Sequence, residues 1–135
     1  MHVKRHAHQR GANLVEAALV IPLLLIILIG AVDFGRAYFT YITIINAARE
    51  GAHWGVLHPP PTGDVCGKAL AETQDLAGLG LTPTCAYSCP AGACTSGNPL
   101  EVTVSVDPFP MIFGGIVGLP TIPIIYTVTF PIRGV

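Results

Sequence analysis

Apolar and polar positions divide the chain into stretches with different periods. From Ala17 to Val32 no charge and almost no polar atom interrupts the sequence, and Leu14 and Val15 extend the run past Glu16. As a helix, Leu14 to Val32 would span about 28 Å, close to the roughly 30 Å of hydrocarbon in a bilayer. Pro22 removes one backbone hydrogen bond and Gly30 loosens packing, which predicts a kink at most, since membrane helices tolerate such breaks. Beyond Asp33 the pattern becomes one-sided. At about 100° per residue, Phe34, Tyr38, Tyr41, Ile45, Ala48 and Ala52 share one face, with Arg36, Thr40, Thr43, Ala47 and Glu50 opposite. The spacing predicts one helix over 12–57, apolar all round over about 14–32 and docked against a folded domain by the Phe34, Tyr38, Tyr41 and Ile45 stripe over 33–56. A cleaved secretory signal is the rival reading. Its apolar core is usually about 7–15 residues and ends in small residues, a poor match to a run followed by Asp33 and Arg36.

Consecutive prolines at 59–61 stop the helix after Leu57, because they cannot donate backbone bonds. Asp64 can cap a short helix over Val65 to Leu79, with Cys66, Ala69, Leu70, Thr73, Leu76 and Ala77 on one side and Gly78 and Gly80 ending it. Leu100 to Asp107 alternates, Val102, Val104 and Val106 against Glu101, Thr103, Ser105 and Asp107, as a half-buried strand does. Ile124 to Ile132 repeats the pattern. Between them lies an uncharged segment, Pro108 to Pro123, too broken by proline and glycine for a second membrane span. It is expected as an apolar loop on the membrane surface or a partner, presenting Phe109, Met111, Ile112 and Phe113; the other reading folds it back onto the core. The fold class is therefore α+β, a long N-terminal membrane-spanning helix continuing into a small domain at 58–135 with a short helix and a β-hairpin.

Composition sharpens this picture. Of the 135 residues 51% are hydrophobic and 11% charged, so lipid or a packed assembly must cover much of the surface. A net charge of −1 with no basic stripe argues against nucleic acid. Lys4, Arg5 and Arg10 precede the apolar run, which predicts a cytoplasmic N-terminus and an exterior domain. Cys66, Cys85, Cys89 and Cys94 all fall in that exterior part, where disulfides persist. Spacing favours Cys66 with Cys85 and Cys89 with Cys94, the short loop turning at Pro90 and Gly92; other pairings and a four-cysteine zinc site stay open, though zinc's usual two-residue spacings are missing. His2, His6 and His8 read as solvated polar sequence in place of a metal site. No cofactor or small-molecule pattern is present. His53, His58 and scattered acids do not pair a nucleophile with a base, so catalysis is not expected.

The segments RGANLVEAALVIPLLL and DFGRAYFTYITIINAAREGA resemble the N-terminal helix of the TadE-like family, minor pilins or pseudopilins of tight-adherence pili. The matching elements are Gly11, Glu16, Pro22, the signature Asp33, Phe34, Gly35 and Arg36, and the later Asn46 to Gly51, with Arg49 and Glu50 inside it. The resemblance implies a pilin-like domain and a prepilin-type leader over 1–11, cut between Gly11 and Ala12 by a prepilin peptidase, although Ala17 stands where such motifs often carry an aromatic residue. Cutting there would free an amino group on Ala12 four residues before Glu16, on the same helix face. A carboxylate in lipid is costly and persists when paired, here with a neighbouring subunit's terminus. The implied partners are membrane lipid, the peptidase, a pilus assembly platform and other pilins or pseudopilins. The implied location is the bacterial cytoplasmic membrane, single pass, with incorporation into a pilus as one outcome. The expected function is a structural or assembly subunit in which Glu16, Phe34, Tyr38, Tyr41 and Ile45 meet other subunits. The alternative is a membrane-tethered binding module whose helix is only an anchor.

Overall fold

The structure is a computed structural model that describes residues 6–118 and 121–133, with side chains described except at 6–10, 12 and 117. Helix α1 runs unbroken from His6 to Leu57 and passes through Pro22. The large side chains between Leu14 and Val32 are exposed, except Ile29, which is half-buried. The helix ends where the prolines begin, its last amide bond running from His58 N to Trp54 O at 2.9 Å.

The C-terminal domain packs short helices and an antiparallel sheet against the C-terminal half of α1. Helix α2 (Val65–Ala71) is capped by Asp64, whose Oδ1 accepts from Gly67 N at 2.8 Å. The single helix expected over Val65 to Leu79 is divided. Amides 72 and 73 bond three residues back, the Thr73 hydroxyl donates to Leu70 O, and helix α3 (Gln74–Ala77) follows. A side chain that binds its own turn competes with helix continuation. Gly80, at φ 71°, then closes the end: its amide bonds Ala77 O while Leu81 N bonds Leu76 O, and Leu76 and Leu81 meet in the core.

The sheet has three strands in the order β1 (Pro83–Ser88), β2 (Pro99–Phe109), β3 (Ile122–Pro131). The expected hairpin is β2 and β3, with Val104 opposite Tyr126 and Thr103 opposite Thr127. Strand β1 is an unanticipated addition, pairing Cys85 with Val104. Leu100, Val102, Val104, Val106 and Phe109 bury one face of β2 against α1. The other face carries hydroxyl pairs, Thr103 with Thr127 at 2.8 Å and Thr84 with Ser105 at 2.9 Å.

The docked face of α1 differs from the expected one. Phe34, Tyr38 and Tyr41 are 73%, 57% and 43% exposed, and Ile45 is only half-buried. Thr40, Ile44, Ala47, Gly51 and Gly55 are buried instead, including Thr40 and Ala47 from the side expected to face away, while Ala48 and Ala52 of the expected face are buried as well. Close approach is the reason. A Cβ on Gly51 would stand 2.8 Å from the Ala69 Cβ and 3.0 Å from the Val65 carbonyl oxygen, and one on Gly55 2.5 Å from Leu100. The helix docks by its smallest face and leaves its aromatic face outside.

Thr40 is fully buried and its hydroxyl has no hydrogen-bond partner among the described residues. Valine has the same shape and no polar atom to desolvate. Thr40→Val is therefore expected to raise the domain's stability by about 1 kcal/mol, since an unbonded buried hydroxyl costs roughly 1–3. Denaturant unfolding in detergent, read by the single tryptophan, Trp54, is the check.

Candidate functional site

The apolar run ends at Val32, and the next residue, Asp33, makes the joint between anchor and domain. Its carboxylate is buried and accepts from two backbone amides 79 and 80 positions away, Ile112 N to Oδ1 at 2.8 Å and Phe113 N to Oδ2 at 2.7 Å. These amides open α4 (Ile112–Val117), whose N-cap residue, Met111, supplies no side-chain bond of its own. First-turn amides lack partners within a helix, so Asp33 satisfies groups that burial would otherwise leave orphaned. Arg36 completes the joint. Its Nη1 lies 3.7 Å from Asp33 Oδ1 and donates to Pro110 O at 3.3 Å, with the guanidinium carbon 5.6 Å from the centre of the Phe109 ring.

Burial pushes the Asp33 carboxyl upward, but the Ile112 and Phe113 amides and the Arg36 charge outweigh it and hold the group below the usual carboxylate range. A lowered folded-state pKa contributes stability that is present above the unfolded value and lost as pH falls through the folded one. Protection of the Ile112 and Phe113 amides is thus expected to survive the pH range in which ordinary carboxylates protonate and to collapse only below it. Asp33→Asn should weaken that protection at neutral pH and flatten its pH dependence. Hydrogen exchange in detergent micelles, corrected for intrinsic rates, reads both.

The uncharged segment before β3 is thus partly helical and divided in its exposure. Phe109, expected on the outside, is fully buried; Met111 and Phe113 are half-buried; Ile112 and Ile116 are 45% and 66% exposed. The alternative that folded this segment onto the core is correct for Phe109.

The other sequence-derived positions separate by role. Within the first signature, Asp33 and Arg36 bind the domain while Phe34 and Gly35 face out, and a Cβ on Gly35 would meet nothing within 4 Å. Within the second, Ala47, Ala48 and Gly51 are buried, whereas Asn46, Arg49 and Glu50 are exposed and line an open depression with His53, Glu72 and Phe130. Phe34 stacks on Tyr38, centres 6.2 Å apart, and Tyr41 meets the Tyr126 ring edge-on at 6.4 Å. Glu16 is exposed on α1, as is Gly11; the Ala12, His6, His8 and Arg10 side chains, and His2, Lys4 and Arg5 entirely, lie outside what is described. Cys66 bonds Cys85 and Cys89 bonds Cys94, the pairing that the spacing favours. The Asp33 to α4 bond escaped sequence reasoning. Its one signal was a lone acid at the end of the apolar run in a chain with an uncharged segment elsewhere.

These features define an α+β protein built, among the described residues, on one helix that is long and apolar enough to cross a membrane, which points to single-pass anchoring. A family model described as TadE-like protein matches residues 11–53, a range that takes in both signatures, so the N-terminal helix of this chain is similar to that family. The match points to an association with tight-adherence pili. Comparisons with curated proteins and with solved structures found no match.

Proposed function

We propose that this protein is a minor pilin or pseudopilin-like subunit of a tight-adherence pilus system, processed between Gly11 and Ala12 and assembled through α1. One observation carries the reading. The helix spends its small residues on its own domain and keeps Phe34, Tyr38, Tyr41 and the open backbone at Gly35 outside, where a second helix can approach. Interfacial anchoring accounts for an aromatic residue at the lipid boundary, but not for a row that continues to Tyr41, about 10 Å of helix beyond Phe34. Exposed Asn46, Arg49 and Glu50 extend the same reading one to two turns farther out. Glu16, exposed within the apolar run, is suited to neutralise the amino terminus of a neighbouring subunit.

Glu16→Gln tests this. Membrane insertion should be unchanged, since a neutral amide is cheaper in lipid than a carboxylate, while co-purification with other pilus components and piliation should be lost. Full piliation by the variant would favour the tethered-module alternative. Intact mass adds a second measure, with an N-terminus at Ala12 supporting processing and a retained Met1 counting against it.

A further inference from the structure

We propose that α4 is an interfacial element resting on the lipid headgroup region, its depth set by Asp33. This deepens the reading above and rests on α1 being embedded in the membrane. The chain path sets the geometry. Leu100, near the start of β2, lies against Gly55, and Phe109, at its end, lies over Arg36. Nine residues of strand and nineteen of helix both cover about 30 Å, so β2 runs down alongside α1 toward the membrane. Strand β3 runs antiparallel back up, which puts α4 at the membrane-facing end of the domain.

The level follows from Asp33, one residue beyond the apolar run and bonded directly to Ile112 N and Phe113 N. Ile112 and Ile116, four apart and therefore on one face of α4, are both exposed at that level. No charged side chain occurs between Asp107 and Arg133, so the turn that meets the bilayer offers nothing that must stay in water. An apolar helix face at that depth fits the boundary between headgroups and acyl chains. The occupant is lipid.

The experiment uses the full chain in phosphatidylcholine and phosphatidylglycerol vesicles, with lipids brominated either near the headgroup or near the chain end. Single-tryptophan versions carry the native Trp54, or Trp54→Phe combined with Ile116→Trp or with Ile26→Trp. The Ile116→Trp protein is expected to lose much of its emission to the shallow quencher and little to the deep one. Ile26→Trp should lose more to the deep quencher, and Trp54, about 30 Å of helix above Asp33, should be quenched by neither. No quenching at position 116 alongside quenching at 26 would overturn the proposal and leave that face to a protein neighbour. No quenching at 26 would overturn the membrane reading itself. Equal circular dichroism among the proteins excludes misfolding as the cause.

Discussion

Gly51→Ala is expected to destabilise the C-terminal domain by about 1–3 kcal/mol, although alanine is the better helix former by roughly 1. The two effects oppose each other, and geometry decides between them. The added methyl would stand 2.8 Å from the Ala69 Cβ and 3.0 Å from the Val65 carbonyl oxygen. Neither is the end of a flexible side chain, so α1 and α2 must separate. Separation costs contacts along the whole interface, because Ile44, Ala47, Ala48 and Ala52 pack in the same seam. Gly51→Leu should lie at or beyond the upper end of the range. Gly35→Ala, in the same helix but with open space around it, should instead be neutral or stabilise by up to about 1 kcal/mol. Denaturant unfolding in detergent, followed by Trp54, gives both values. Opposite signs are the expected result, and a stabilising Gly51→Ala would show that the helix does not approach the domain this closely. Under the proposed function Gly35→Ala carries a second consequence: unchanged stability together with impaired piliation would place the close approach between subunits.

Local rules brought most of the fold within reach. The apolar run, the proline stop, the Asp64 cap and the alternation of Val102, Val104 and Val106 each depend on neighbours in sequence, and each element is present. Strand β1 escaped because Pro83–Ser88 is mostly exposed and has little apolar alternation to display. The docked face of α1 escaped for a different reason. Periodicity finds the greasiest stripe, whereas docking selected the narrowest one, and only the partner surface, Val65, Ala69 and Leu100, shows that narrowness matters. Both signatures were legible as a family pattern but not as physics. Asp33 reads as a charge flanking a membrane span until residues 112 and 113 come into view.

Under the proposed function one helix has to satisfy two neighbours at once, and the signatures divide between them. Asp33, Arg36, Ala47, Ala48 and Gly51 hold the C-terminal domain at one height and one rotation on α1. Phe34, Gly35, Asn46, Arg49 and Glu50 are left facing outward by the same geometry. Fixing the domain is what gives the exposed residues a defined direction, since a domain free to swivel would cover them intermittently.

Removing the Cys66–Cys85 bond is expected to cost about 3 kcal/mol and removing Cys89–Cys94 about 2, because a bridge acts chiefly by restricting the unfolded chain and the longer loop restricts it more. The separations are 19 and 5 residues. The folded state points the same way. Cys66 lies in α2 and Cys85 in the edge strand β1, which pairs only with β2, so this bond fastens the least supported strand to the helix in the α1 seam. Cys89–Cys94 closes a short loop, where Gly92 N bonds Cys89 O and Asn98 Nδ2 bonds Ala93 O, and its half-buried cysteines rest on the Leu100, Val102 and Ile132 end of the core without joining two elements. Paired alanine variants measured by urea unfolding of the detergent-solubilised protein should rank in that order, with the quadruple variant near their sum if the sites are independent. For a domain of this size a loss of about 5 kcal/mol removes most of the margin, so the reduced protein should be largely unfolded outside its membrane helix. Its unfolding would then be visible as loss of β signal while the α1 helical signal persists. The opposite ranking would mean that the loop at 89–94 supports more of the sheet than its few bonds indicate.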